Sequence, residues 1–301
     1  LLQVYINQPY DVRYYNLKEF YTMQYLKQLS GPVTEEKLEY IESELERLKR
    51  PKDEDEREQR EAVYNIVGRR AYLEQNEGAY FVYDEPLNIL TAASDNTKDL
   101  KSAVLAMILL VLCMPCFFAP DLQSGMSRII AVTRYGRTKL VKLRYAIGTL
   151  LAVVLTVFVY VPPFIQIINS YDIKAEVFTY PVNSLMHLSR FGAGISIGMY
   201  FILVFALRIV AAVLTAFFMY KISGIIKSYV YTMFAGFAAL LIPTIMALIN
   251  NNLLYAFYPY SMFGGNLFMQ STVAAIVGIV TWVLFFGLEG IAMAVVGRRK
   301  R

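Results

Sequence analysis

An all-α, polytopic membrane protein carrying a mainly helical domain outside the bilayer is the architecture this chain predicts. Three features predict it. The 301 residues are 56% apolar with a mean hydropathy of +0.42, well above a soluble domain of this size. Five apolar runs, near 102–119, 146–168, 195–220, 229–250 and 272–296, are each long enough to cross about 30 Å of hydrocarbon. Charge is split along the chain. Residues 1–101 hold 14 of the 29 Lys and Arg but 20 of the 24 Asp and Glu, so that region is net acidic and the remainder net basic. The pI near 9.0 averages these two unlike parts and is no sign of nucleic-acid binding.

The links between the runs set an orientation. The first two runs are joined by GMSRIIAVTRYGRTKLVKLR, residues 125–144, with Arg128, Arg134, Arg137, Lys139, Lys142 and Arg144. Lys221 and Lys227 follow the third run, and Arg298, Arg299, Lys300 and Arg301 follow the fifth. The other links, 169–194 and 251–271, hold only Lys174 and Arg190. Lys and Arg are retained on the cytoplasmic side, which puts the basic loop and C-terminus inside and residues 1–101 outside. The opening residues LLQVYINQPY read as the end of a further apolar span, so six spans with both termini inside are expected of the full protein. The expected domains are an extracellular one over 1–101 and a transmembrane one over 102–301.

Within the outer domain, residues 30–80 read as a helical hairpin. Thr34 suits an N-cap, and Glu35 and Glu36 suit the positive end of a helix. Val33 and Leu38 are spaced for a hydrophobic staple. Leu38, Ile41, Leu45 and Leu48 form one apolar stripe at helical spacing. Pro51 and the run KDEDERE are expected to interrupt it, and Ala62, Val63, Ile66, Val67, Ala71 and Leu73 to form the second helix. Tyr-rich flanks, Tyr5–Tyr25 and Tyr80–Leu90, pack beside the hairpin. The acidic surface reads either as a solvated cap or as a face for a cationic ligand.

In the basic loop, Met126, Ile129, Ile130, Val132, Leu140, Val141 and Leu143 interleave with the cations, and Gly136 breaks the run. This predicts a short amphipathic helix, a turn and the start of the next span. A cytoplasmic loop with its own apolar face implies something to dock against.

Nothing in the chain matches a P-loop, an HExxH, an EF-hand loop or a GxSxG. The single histidine, His187 beside Arg190, reads as an interfacial side chain and not as a metal or catalytic group. Cys113 and Cys116 form a C-x-x-C around Pro115 within the first run, where burial removes thiolate reactivity. No metal and no catalytic residue is expected.

Two ionisable groups fall inside runs. Arg208 lies about 18 Å and Glu289 about 11 Å from the inner ends of their spans. A charge at that depth should face protein or a wet cavity. Three readings stay open: a pair between them, a proton or substrate path, and a neutral Glu289. The link 251–271 carries Tyr255, Phe257, Tyr258, Tyr260, Phe263 and Phe268 with no charge. Pro259 and Gly264-Gly265 prevent a continuous helix. Either a re-entrant outer gate or an interfacial anchor fits that composition. Pro162-Pro163 should end or bend the second span.

Taken together, these pieces resemble the type-2 ABC transporter permeases of bacteria, in the branch with an extracellular domain between the first two spans. The resemblance rests on the layout of 101–301 and on a motif of a carboxylate, a Gly, T-x-x-G-R and a following basic residue. Here these are Asp121, Gly125, Thr133-Arg134-Tyr135-Gly136-Arg137, and Lys139 or Lys142. The family commonly has Glu where Asp121 stands. The resemblance implies a non-catalytic permease subunit of the bacterial plasma membrane, an exporter, with loop 125–142 as coupling helix on a separate ATPase chain. Met126, Ile129 and Ile130 then supply the buried contact, Arg128, Arg134 and Arg137 the charge pairing, and Gly136 the turn. ATP and Mg are bound by that partner, and a second permease copy or homologue completes the pathway. The re-entrant segment of the family corresponds to Tyr258, Pro259, Gly264 and Gly265. Substrate stays open between cationic peptides, lipids, drugs and polymers. A rival reading is a membrane-anchored sensor or assembly scaffold working through its outer domain. A self-sufficient carrier is disfavoured because no inverted repeat of broken helices is visible.

Overall fold

The computed structural model describes residues 17–76, 78–91, 97–133, 139–191, 194–226 and 228–249, with Phe263, Ile276 and Val280. The described chain is mostly helical. It forms two compact units, one drawn from Leu1–Asn88 and Phe164–Leu203, the other from Ile89–Pro163 and Val204–Arg301.

In the first, N-terminal unit, helix α1 (Leu17–Leu29) packs along α3 (Glu54–Gln75), and α2 (Glu35–Arg47) pairs with α3 as the predicted hairpin. The stripe spacing sets which residues meet. Ile41 and Leu48 are buried with Leu26, Leu29, Val63, Ile66, Leu73 and Phe81, while Leu38, Leu45 and Val33 flank them half-buried. Strands β1 (Gly31–Pro32) and β2 (Tyr80–Phe81) pair antiparallel, with Gly31 opposite Phe81. The short helix α4 (Glu85–Thr91) follows.

Two details differ from the expectation. Thr34 precedes α2 in extended backbone, but its side chain makes no capping bond. The run KDEDERE does not interrupt the hairpin beyond Asp53, because its acidic residues form the first turn of α3. Negative charge is favoured at that end of a helix. The Asp53 carboxylate accepts the Glu56 N–H at 2.8 Å, and Glu56 in turn accepts the Lys52 N–H at 2.8 Å.

A charged pair on α2 also ties that helix to α1. Arg47 donates from Nε and Nη2 to the Glu44 carboxylate, and the Tyr25 hydroxyl donates to the same group at 3.0 Å. Burial works to raise the Glu44 carboxyl, but the bonds from Arg47 and Tyr25 outweigh it and hold it below the ordinary range. Burial and the Glu44 bond push Tyr25 up to about 12. A depressed carboxyl contributes stability that is present above its unfolded pKa and lost as pH falls through the folded one. Glu44→Gln should therefore cost about 1 kcal/mol at neutral pH. It should also flatten the acid limb of the unit's melting temperature against pH, below the ordinary glutamate range. An unchanged acid limb in thermal melts would remove Glu44 as a contributor.

Residues 164–203 complete this unit. Helix α7 (Val141–Tyr171) does not end at Pro162-Pro163, where an end or a bend was expected, but runs on through both. It stops instead at Asp172, a non-glycine residue at φ 52. Asp172 N–H bonds the Asn169 carbonyl at 3.4 Å and Ile173 N–H bonds the Ile168 carbonyl at 3.1 Å. That is the two-bond pattern of a Schellman stop, with Asp in the place usually held by Gly.

The link beyond it folds into three 3-10 turns, Ala175–Thr179, Val182–Ser184 and Met186–Phe191. Val182, Leu185 and Leu188 are buried, as are Asn183 and Ser184. Tyr72 donates to the Asn183 carbonyl at 2.7 Å, and the Tyr80 N–H donates to Ser184 Oγ at 2.8 Å. Helix α8 (Ile197–Ile226) then starts against the link. A Cβ on Gly198 would lie 2.9 Å from the Phe178 carbonyl oxygen, so only glycine permits that approach.

The second, bundle unit holds α5 (Thr97–Gln123), α6 (Met126–Val132), the first part of α7, the rest of α8, and α9 (Tyr229–Ile249). Its core joins Met107, Leu110 and Met114 of α5 to Ala152 and Tyr160 of α7, Leu207, Ala211, Ala212 and Ala216 of α8, and Leu240 of α9. Small residues at such positions let helix backbones approach closely. The buried hydroxyls of Thr156, Thr215 and Thr232 each bond the carbonyl one turn back, leaving no orphan donor.

Two helices, Lys142–Tyr171 and Ile197–Ile226, are long and apolar enough to cross a membrane by length and composition. A soluble core helix would bury most of its apolar side chains. Here Leu150, Val154 and Phe158 on α7 and Ile202 and Val210 on α8 are exposed. Shorter apolar helices lie at Lys101–Phe117 and Tyr229–Ile242. The fifth expected run, 272–296, lies outside the described residues apart from Ile276 and Val280, both exposed.

Candidate functional site: the basic loop and the buried arginine

The loop between the first two apolar helices begins with a turn that its sequence requires. Gly125 sits at φ 73, in the left-handed region, as the N-cap of α6. A side chain there would find open space but a strained backbone. The Met126 N–H bonds Ser124 Oγ at 3.5 Å. At the other end Thr133 closes the helix, its backbone N–H and Oγ1 both bonding the Ile130 carbonyl, at 3.1 and 2.7 Å.

The helix between these caps presents apolar side chains to the outside. Met126 is 51% exposed, Ile129 67% and Val132 88%, while Ile130 is half-buried. A seven-residue helix that leaves three large apolar residues uncovered has a contact face that the described residues do not cover. Asp121 lies in the last turn of α5, and Arg128 lies in α6. Lys139 and Lys142 are exposed at the start of α7. Arg134, Gly136 and Arg137 fall outside the described residues.

Other contacts bring further helix ends to this end of the unit. The Tyr229 N–H at the start of α9 bonds Gln123 Oε1 at the end of α5, at 3.4 Å. Tyr145, near the start of α7, packs on Tyr220 near the end of α8, ring centres 4.2 Å apart, and on Phe217. Lys221 follows Tyr220 directly, so this cation lies at the end of α8 that meets the start of α7.

Arg208 lies on α8, 9% exposed. Its Nε donates to the main-chain carbonyl of Phe263 at 2.9 Å, and its guanidinium carbon stands 4.2 Å over the Tyr160 ring. The Tyr160 hydroxyl donates to the same Phe263 carbonyl at 3.0 Å. A main-chain acceptor leaves no mark in sequence, so reading residues for carboxylates near Arg208 missed it. Glu289, and with it the expected pair, lies outside the described residues, as do Tyr258, Pro259, Gly264 and Gly265.

Cys113 is half-buried and Cys116 exposed on α5, and both are free thiols. Cys116 Sγ donates weakly to the Leu112 carbonyl one turn back, at 3.6 Å. His187 sits half-buried in the link's last 3-10 turn. Among the described residues no group of His, Cys, Asp and Glu could hold a metal ion.

Comparison of the chain with protein-family models, with curated proteins and with solved structures finds no match.

Proposed function

We propose that this chain is a permease subunit of a type-2 ABC transporter, an exporter, driven by a separate ATPase that docks on loop 125–142. One observation carries the reading: the exposed Met126, Ile129 and Val132 on a short helix set in a cationic loop between two apolar helices. An apolar contact face with cations around it suits a partner groove with an acidic rim. The sequence has no P-loop, so nucleotide chemistry is assigned to the partner. A second permease copy or homologue shares the pathway.

The grouping of residues 17–88 with 164–203 supports the proposed topology. Residues 1–101 and the link 169–194 are the stretches that the Lys and Arg distribution puts on the outer face, and residues 17–88 and that link belong to one compact unit. The reading has at least five spans in a bacterial plasma membrane, with the N-terminal unit outside and the C-terminus inside. The folded 169–194 link also favours the sensor or scaffold alternative, because it enlarges the outer unit.

Co-purification of the full-length protein from its native host separates the two. The permease reading expects an ATPase subunit in the complex, lost about tenfold or more on Ile129→Asp, Gly136→Pro or Arg137→Glu, as a desolvated interface anchor commands. An intact, ATP-hydrolysing complex carrying all three changes would sink the docking assignment. A complex without any ATPase would favour the sensor.

A further inference from the structure

We infer that the seam where the start of α7 meets the end of α8 binds an anionic phospholipid, its phosphate held by Lys142, Lys221 and the Tyr145–Tyr220 pair. The inference rests on the reading of α7 and α8 as membrane-spanning, with this end in the cytoplasm.

Aromatic rings build the seam. Tyr145 stands near the start of α7 and Tyr220 near the end of α8, their ring centres 4.2 Å apart. Phe217, one turn before Tyr220, meets Tyr145 edge-on at 5.6 Å. At 1.5 Å per residue the two tyrosines lie about 6 and 9 Å inside their helix ends. That depth is the border between headgroups and hydrocarbon, where a ring with one polar tip is favoured. The hydroxyls of Tyr145 and Tyr220 are hydrogen-bonded to each other. Two phenols in one such bond still carry a second O–H proton, which a phosphate oxygen can accept. The opposite side of α7 is apolar. Leu143, Ile147, Leu150, Val154 and Phe158 are exposed at helical spacing, about half a turn round from Tyr145. A stripe of that length runs about 22 Å, longer than one leaflet's hydrocarbon.

Cations edge the seam. Lys142 is exposed one turn before Tyr145, and residues three apart on a helix are neighbours. Arg144 adjoins Tyr145 and Lys221 adjoins Tyr220, both half-buried. Long Lys stems let an ammonium rise to the headgroups while the methylenes cover apolar surface. Neither α7 nor α8 contains a single Asp or Glu. The charge of this seam is therefore positive, and it suits an anion presented at the membrane surface. Basic pockets between spans on the cytoplasmic side select anionic headgroups for this reason. A phospholipid fits better than a free anion, because the rings and the apolar stripe offer surface to its acyl chains.

The test uses the full chain in a non-ionic detergent and phosphatidylglycerol with a fluorophore on one acyl chain, binding being read by anisotropy. Unlabelled phosphatidylglycerol should displace the probe at least tenfold more readily than phosphatidylcholine. Lys142→Gln and Lys221→Gln should each weaken binding about fivefold, and the double variant by about the product. Lys142→Arg/Lys221→Arg keeps both charges and should bind within about twofold of the parent. Tyr145→Phe/Tyr220→Phe keeps the rings, removes both hydroxyls and should weaken binding about threefold or more. Lys174→Gln, in the link beyond the far end of α7, should change nothing. Parent affinity in Lys142→Gln/Lys221→Gln overturns the site, as does equal displacement by the two lipids. Displacement by inorganic phosphate as readily as by phosphatidylglycerol would make this a free-anion site and overturn the lipid assignment. Alkaline carbonate extraction of membranes reads the spans separately. A chain released to the supernatant removes the membrane reading, whereas a chain that stays in the membrane and shows no preference between the lipids removes only the lipid site.

Discussion

Arg69→Met should unfold the N-terminal unit at temperatures where the parent protein is stable. Arg69 and Asp84 form an ion pair with side chains 10% and 13% exposed, the most enclosed pair among the described residues. Removing the cation leaves a carboxylate buried without its partner, a defect of about 3–5 kcal/mol. For a unit of this size that corresponds to a fall in melting temperature of roughly 12 °C or more. Glu85 makes the defect worse. Desolvation and the neighbouring Asp84 and Glu19 charges push its carboxyl up, while Arg69 pulls it down. Without Arg69 the Glu85 carboxyl loses the cation that pulls it down, so the variant should regain stability as pH falls and Glu85 takes up a proton. The double change Arg69→Met/Asp84→Leu removes both charges and should recover most of the loss, since apolar replacement of a buried pair is often neutral or better. Thermal melts of the two variants at neutral and mildly acidic pH check the sign. A double variant as unstable as the single one would show that packing, not the orphaned charge, sets the cost.

What could be read from residues alone follows from what each feature depends on. The hairpin was legible because Ile41 and Leu48 sit on a 3–4 residue stripe, a local pattern that survives in the fold. The break falls at Pro51, Lys52 and Asp53 as expected, but the rest of the charged run is helical, which its solvated-looking composition did not reveal. Its acidic residues favour a helix start only once Asp53 caps it. Pro162-Pro163 signalled a helix end or a bend, and the end falls instead at Asp172, a backbone conformation with no strong residue signature. The folded link was invisible because Asn183 and Ser184 are buried through Tyr72 and Tyr80, more than a hundred residues earlier in the chain. The apolar face of α6 was legible from interleaved residues, and its exposure came from the structure. The Arg208 partner could not be read at all, because a backbone carbonyl is common to every residue.

Phe81→Ala tests whether the link belongs to the N-terminal unit in solution. Phe81 is fully buried at the meeting of β2, α2 and α3, in the same core as Leu48 and Ile66. Truncation of a buried Phe costs about 3–5 kcal/mol, the lost transfer energy plus the cavity left behind. Its strand neighbour Tyr80 bonds the link at Ser184, and the Tyr80 ring packs on Tyr180 with centres 5.1 Å apart. Loss of the core beneath that strand should therefore loosen the link together with the hairpin. Tryptic cleavage after Arg70 and after Lys174 should speed up by the same factor in Phe81→Ala, because one cooperative opening exposes both sites. Phe81→Leu, which refills most of the volume, should fall between variant and parent. Faster cleavage after Arg70 with an unchanged rate after Lys174 would separate the link from the hairpin and leave it an independent loop. Equal acceleration would tie the ends of α7 and α8 that carry the link to the folding of the N-terminal unit. A ligand that stabilises that unit would then bear directly on two of the helices proposed to form the transport pathway.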